Sequence, residues 1–400
     1  MINAFSLSNL PKIEFGNGKV LLLPQLIRQY GNRALIVTGA NFLQSTQQWQ
    51  MLTTAFSDNQ IEWSLYTISG EPSPEMIDSA VENFSGQTFD VVVAIGGGSA
   101  LDGAKAIAGL LKVKRSIMDY LEGVGPELTY EGPNVPFIAV PTTAGTGSEA
   151  TKNAVISVQD KTLGFKKSFR HEMLVADYTI LDPELLGSCP KPLIAANGMD
   201  ALTQLIESYV SSKANPLTDA LSLSGIQAVK KGLFAWYDSA GDIDAQAEMA
   251  YAALLSGITL AQVGLGSVHG LASPLGAFFP IPHGVVCGTL LAEATDLNIR
   301  VMQLREPENI ALKKYADIGR LLSDETDEVI ASDQQAREFL VEQLHRWTER
   351  LDLPVLSSLG VTEDDLDHIV ENSRGSSMKT NPIVLTDDEI KQLLLARLLD

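Results

Sequence analysis

Two histidines in an uncharged stretch are the first residues in this chain whose types and spacing suggest chemistry. Residues 264–288 read GLGSVHGLASPLGAFFPIPHGVVCG and hold His269 and His283, two of the five histidines in the protein. Between them lie small residues, two phenylalanines and three prolines, with no Lys, Arg, Asp or Glu. Two imidazoles in such a setting are either buried and satisfied in a core or ligands to a metal; two in one stretch, each followed by Gly, bring the second reading level with the first. A carboxylate to accompany them is Asp200, in ANGMDALTQLIESY. Gln204 and Glu207 follow it by four and seven residues, so all three share one helical face. Asn197-Gly198-Met199 reads as a turn, which would make Asp200 a helix N-cap. The alternative is that one carboxylate and two imidazoles hold a divalent metal with an open position. The chain has two cysteines, Cys189 and Cys287, neither in a CxxC pair. A disulfide framework or a thiolate zinc site is therefore not expected. Cys287 is expected to be a small buried filler beside His283 rather than a nucleophile.

A second kind of chemistry lies earlier. Gly96, Gly97, Gly98 and Ser99 follow the apolar run DVVVAI and open the segment ALDGAKAIAGLL, which carries Asp102 and Lys105. Glycines allow close backbone approach, and the free N–H groups of a helix start favour a phosphate. By itself GGGS is also an ordinary tight turn. A second loop, Pro141-Thr142-Thr143-Ala144-Gly145-Thr146-Gly147-Ser148-Glu149, places four hydroxyls and two glycines in nine residues after another apolar run. Two donor-rich loops at the ends of neighbouring strands make a nucleotide crevice the better reading.

The elements that must position these groups divide the chain. Residues 33–38, 62–68, 90–95 and 136–140 read as strands, separated by helical segments at 21–30, 46–59, 74–84 and 100–112. Alternation of this kind implies a parallel sheet covered on both faces. Residues 153–169 read as an inserted hairpin and 178–183 as a last strand. Beyond that point helical spacing dominates: 192–210, 216–236, 246–262, 284–304 and shorter segments in 308–323, 334–350, 363–372 and 387–399. The expected organisation is an α/β unit at 1–183 and an all-α unit at 184–400, with a ligand cleft between them.

A formal net charge of -20 argues against a nucleic-acid surface and against docking on anionic membranes. No uncharged stretch reads as a spanning helix, because 263–286 is crowded with Gly and Pro. The first residues lack the basic and apolar regions of a secretory signal, so a cytoplasmic location is expected.

Taken together, GGGSALDGAKAIA (96–108), PTTAGTGSEAT (141–151), GMDALTQLIESYVS (198–211), residues 264–288 and TNP (380–382) resemble the iron-containing alcohol dehydrogenase family, within the wider group that includes glycerol dehydrogenase and dehydroquinate synthase. The motifs stand in the family's order and span the chain nearly end to end. The resemblance implies a Rossmann-like N-terminal α/β domain, an all-α C-terminal domain and NAD or NADP bound in the cleft. It implies a divalent metal, Fe2+ or Zn2+, on Asp200, Gln204, His269 and His283. It also implies cofactor contacts from Gly39, Gly96, Gly97, Gly98, Ser99, Asp102, Thr142, Thr143, Thr146, Ser148 and Lys166. A small alcohol or aldehyde as substrate and a homodimer are expected, with His269, His283 and Ser273 carrying the chemistry.

Three positions depart from the family's pattern. Gln204 stands where a ligand His is usual, and an amide oxygen is a poor ligand for iron or zinc, so the metal would rest on Asp200, His269 and His283. Ser273 stands where a second His would relay a proton; a hydroxyl passes a proton through water but holds no charge. Gly39 stands where an Asp would bond the ribose 2′-OH and repel a 2′-phosphate, which permits NADP without requiring it. Two other readings remain at this point. One is a lyase like dehydroquinate synthase, which needs Lys and Arg that residues 198–211 and 264–288 do not offer. The other is a cofactor-binding member with weak or no metal, of the maleylacetate reductase type or with reduced activity.

Overall fold

The computed structural model describes residues 4–40, 43–324 and 330–399. Its first half is built on a parallel sheet of β1 (Lys12–Phe15), β2 (Arg33–Gly39), β3 (Glu62–Ile68), β4 (Val91–Gly96), β5 (Phe137–Pro141) and β8 (Tyr178–Leu181), with β6 (Asn153–Val158) and β7 (Phe165–Arg170) forming a separate antiparallel hairpin. Four helices cover the sheet: α1 (Leu23–Tyr30), α2 (Gln47–Asp58), α3 (Pro74–Asn83) and α4 (Gly98–Leu110). The apolar runs are continuous because both faces are buried. Val92 and Ala94 point into a core with Ile77, Ile107 and Phe137. Their neighbours Val91, Val93 and Ile95 point into the opposite core with Leu23, Ile27 and Phe56.

Strand order is β1-β8-β5-β4-β2-β3. The chain runs outward from β2 to β3, then crosses back to lay β4 on the other side of β2. This reversal opens a crevice at the carboxyl ends of β2 and β4, where Gly39 and Gly96 lie. Strand β1 was not expected. KIEF is short, carries two charges and is mostly exposed, so it lacks the apolar signal of the inner strands; it pairs along the sheet edge with β8.

The second half is helical: α5 (Lys191–Val210), α6 (Pro216–Asp238), α7 (Ile243–Val263), α8 (Ser267–Phe278), α9 (His283–Arg305), α10 (Ile310–Leu322), α11 (Asp333–Arg350), α12 (Leu366–Glu371) and α13 (Asp387–Ala396). Helix α5 is central, with every residue from Gly198 to Val210 buried among α6, α7 and α9. Asn197-Gly198-Met199 is therefore not a turn, and Asp200 is not an N-cap. Glycine sits inside this helix because a Cβ at Gly198 would lie 2.3 Å from Leu233 of α6.

Helix α8 also departs from expectation, since its stretch holds four glycines and three prolines between 264 and 282 as read from the sequence. Packing overrides propensity here. Gly264 takes φ +71, a left-handed conformation that suits glycine, and turns the chain 100° between α7 and α8. Pro274 lies within α8, where burial on both flanks holds the helix together. No single described helix is long and apolar enough to cross a membrane; only the bent pair α7 and α8 passes by composition, and most of its residues lie in the core.

The two halves touch backbone to backbone. A Cβ at Gly257 of α7 would lie 2.1 Å from the carbonyl oxygen of Gly147, which itself takes φ +63. Gly257→Ala should therefore push the halves apart and lower stability by about 1–3 kcal/mol, seen as a lower urea midpoint. Gly86→Ala, with nothing within 4 Å of the new methyl, should leave the midpoint in place.

Candidate active site

Asp200 projects from the middle of α5, His269 from the first turn of α8, and His283 and Cys287 from the first two turns of α9. Among the described residues these four form one cluster in which one ligand atom from each lies within 4.8 Å of all the others. His269 Nε2 is 3.3 Å from Asp200 Oδ1, and His283 Nε2 is 3.8 Å from the same oxygen. Asp200 and Cys287 are fully buried, while the His283 side chain keeps 25% of its surface open. Asp200 Oδ2 is buried with no hydrogen-bond partner, and so is His283 Nδ1. A carboxylate oxygen without a donor is costly in a core, and a dication among these donors would relieve it.

Glu207, one helical turn beyond Gln204, fixes the cluster from behind. Its Oε2 accepts from His269 Nδ1 at 2.7 Å, which turns Nε2 toward Asp200. Its Oε1 accepts from the Val268 backbone N–H at 2.7 Å, at the amino end of α8 where a negative charge is favoured. Asn381 Oδ1 accepts from the neighbouring Ser267 N–H at 3.0 Å, and Thr380 Oγ1 donates to the Leu265 carbonyl. The TNP motif thus anchors α8 rather than touching the cluster.

Gln204 faces the site without offering it an oxygen. Its Nε2 donates to Asp200 Oδ1 at 3.1 Å and its Oε1 accepts from Ser256 at 2.8 Å. It orients the carboxylate. Cys287 differs from the filler expected of it: its Sγ lies 3.6 Å from His269 Nε2 and 3.8 Å from His283 Nε2. The sequence signal was its place four residues after His283, on the same helical face.

The charges follow from these contacts. Burial alone would raise the Asp200 carboxyl, but His283, His269 and Gln204 outweigh it and hold it down at about 2. Burial pushes His283 down to about 4 and the Cys287 thiol up to about 12. Burial works against charge on His269 as well, yet Cys287, Asp200 and Glu207 keep its imidazole well above the ordinary range.

The glycine loop lies where the crevice opens. Gly96 ends β4 and Gly97 caps α4, whose first turn includes Gly98 and Ser99. A Cβ at Gly98 would lie 2.7 Å from Thr146 Oγ1, so the two loops are in contact. A cavity of about 310 Å³ is lined by Gly39, Gly96, Gly97, Thr142 and Glu184, among others. Thr142, Thr143 and Thr146 are half-buried beside it. Ser148 and Asp102 are engaged elsewhere. Ser148 Oγ donates to Asp102 Oδ1, whose partner oxygen accepts from the Val155 N–H at 3.1 Å. Buried Lys105 donates to the Ser148 carbonyl, Thr151 and the Asn153 carbonyl at 2.7–3.0 Å. Burial shapes this group too, raising Asp102 and lowering Lys105. Lys166, on the hairpin, pairs with Glu71 at 2.7 Å and lies against Gly276 of α8. Ser273 is one turn beyond His269, and it and Gly276 are part-exposed positions of α8.

A glycine-lined crevice at the switch point of a parallel sheet, together with a buried carboxylate–imidazole cluster in the helical half, is the arrangement against which the comparisons with known proteins place the chain among oxidoreductases. The family model described as iron-containing alcohol dehydrogenase matches residues 11–183, and that of the C-terminal region of the Fe-containing alcohol dehydrogenase family matches 194–398. The chain belongs to the iron-containing alcohol dehydrogenase family, whose members use NAD(H) and a metal. It is 34% identical over 95% of its length to alcohol dehydrogenase 4 of Schizosaccharomyces pombe, covering 86% of that protein. It is 33% identical to lactaldehyde reductase of Escherichia coli K12, over 88% of each chain. The solved structure of sulfoacetaldehyde reductase from Bifidobacterium kashiwanohense in complex with NAD+ superposes with a TM-score of 0.85 at 26% identity, over 99% of both chains.

Glu207→Gln keeps the shape of the His269 support but removes its charge. Metal affinity, measured by chelator competition, should fall about 10–100-fold; an unchanged affinity would show that Glu207 does not tune the site.

Proposed function

We propose that the protein interconverts small, uncharged alcohols and aldehydes using NAD(H), with a divalent metal on Asp200, His269 and His283. The observation that carries this is the convergence of the His269 and His283 Nε2 atoms on Asp200 Oδ1, beside the second Asp200 oxygen, Oδ2, which is buried without a hydrogen-bond partner. When bound, the metal supplies Lewis acidity toward the substrate oxygen and the nicotinamide supplies or takes the hydride.

The chain's own residues do the rest. Asp200, held by Gln204, keeps its charge in the core, and Glu207 holds the His269 ring with Nε2 toward Asp200. The backbone N–H groups at the start of α4 and the hydroxyls of Thr142, Thr143 and Thr146 would bind the cofactor's diphosphate. Lys166 and Ser148 would support the cofactor side of the cleft, Lys166 from the hairpin and Ser148 through Asp102. The buried stretch around His269 and His283, with Phe278 and Phe279, excludes water and disfavours a charged substrate. Ser273 Oγ would pass the substrate's proton to water, since its position on α8 is part-exposed.

NAD(H) is favoured over NADP(H) because the described lining of the 310 Å³ cavity includes Glu184 and no Lys or Arg. A carboxylate there opposes a 2′-phosphate. The same reading takes residues 1–183 and 184–400 as the two working units, in a cytoplasmic homodimer. Support for pairing comes from the edge strand β1 and the exposed Phe5, Leu7, Leu10, Ile13 and Phe15 beside or within it.

The test is NADH and NADPH oxidation with a panel of short aldehydes, by chelated protein and by protein resupplied with ferrous iron or zinc. Turnover should require metal, and NADPH should be at least about tenfold poorer in kcat/KM, the size expected of one unfavourable charge contact. Failure of every aldehyde, cofactor and metal combination would sink the proposal.

A further inference from the structure

We infer that Cys287 is a direct ligand to the metal, completing a four-donor set of Asp200, His269, His283 and the Cys287 thiolate. The inference builds on the metal-site reading above but concerns which atoms hold the ion, not what the loaded enzyme turns over.

Geometry carries it. Bond lengths of about 2.0–2.3 Å to nitrogen, oxygen and sulfur place the donors of a tetrahedral site about 3.3–3.8 Å apart. Four of the six donor separations here are 3.3, 3.6, 3.8 and 3.8 Å: His269 to Asp200, Cys287 to His269, Cys287 to His283, and His283 to Asp200. The remaining two fall within 4.8 Å. The donors already stand near the corners of a coordination tetrahedron, and the sulfur is at one of them.

Two further observations separate this from a cysteine that merely fills space. Asp200 Oδ2 is buried without a donor in the same cluster. Of the other two side chains on that face, Gln204 has its oxygen engaged by Ser256, and Glu207 has its two oxygens engaged by the Val268 N–H and His269 Nδ1. The sulfur therefore takes the fourth place that the amide does not fill. His283 and Cys287 form a His-x3-Cys pair on consecutive turns of α9, a spacing that lets both reach one ion.

Binding breaks the S–H bond, forms the metal–sulfur bond and releases the proton to solvent. No oxidant or reductant takes part. A soft thiolate in place of a harder donor shifts the site toward zinc and away from ferrous iron.

The experiment uses full-length protein loaded with cobalt(II) in place of the native metal. A thiolate on cobalt gives an intense near-ultraviolet charge-transfer band, distinct from the visible bands of tetrahedral cobalt. That band is expected in the parent protein and in Cys189→Ser, and it should vanish in Cys287→Ser. Competition with a chelator should show zinc dissociation constants about tenfold or more higher in Cys287→Ser, the scale of losing one polar ligand contact. Should Cys287→Ser bind no cobalt while still unfolding cooperatively, a ligand role is equally indicated. Bound cobalt with no such band in the parent protein overturns the inference, as does a band that survives in Cys287→Ser. Because the readout is spectral, a protein with the band but no aldehyde turnover would uphold the thiolate and sink the proposed activity. Turnover without the band would do the reverse.

Discussion

One buried carboxylate ties the helical half to its chemistry. Glu207 accepts from the Val268 backbone N–H in the first turn of α8 with one oxygen and from His269 with the other. Without its side chain, the Val268 amide would be left unsatisfied and His269 would be free to rotate its ring. The space around it is closed: a Cβ at Gly266 would lie 2.8 Å from Glu207 Oε1 and 2.8 Å from Asn381 Oδ1. The glycine turn before α8, the TNP segment and the α5 carboxylate are therefore one packing solution. Its product is a single imidazole nitrogen aimed at Asp200.

The cofactor half shows the same division between groups that hold and groups left available. Lys105 is 1% exposed and bonds the backbone and hydroxyls of the threonine-rich loop. Asp102 and Ser148 complete that inner network. Such a network is worth keeping only when every member is satisfied. With those side chains engaged the back of the loop is fixed, and Thr142 at its start lines the crevice. Lys166 and Glu71 form a charged pair close enough to the start of α9 that each of them acts electrostatically on His283.

Much of this was legible from residue pattern. The strand–helix alternation gave the parallel sheet because inner parallel strands are apolar on both faces, and the donor-rich loops fell at strand ends as the crevice requires. Edge strand β1 escaped because an edge buries little and tolerates Lys12 and Glu14. Helix α8 escaped because Gly and Pro are poor helix formers alone, whereas tight neighbours such as Met378, 2.8 Å from a Cβ at Gly270, select the glycine. The face shared by Asp200, Gln204 and Glu207 was readable from spacing, but their separate duties were not. Local sequence does not reveal that Ser256 on α7 engages the Gln204 oxygen, nor that α8 and α9 fold back to place Cys287 against both imidazoles.

The glycine-to-glycine contact between Gly147 and Gly257 bears on motion as well as on stability. Side chains that interdigitate over an area resist sliding and turning together. Two backbones touching where neither residue has a side chain set the separation of the halves at that point, with no flexible group there to give way. That point lies on the threonine-rich loop, between the crevice and α7. The hairpin turn is bonded to the helical half as well, Asp160 N–H to the Ala277 carbonyl and Gln159 Nε2 to the Phe279 carbonyl, so the halves are held at more than one place and the threonine-rich loop has little room to slide against α7.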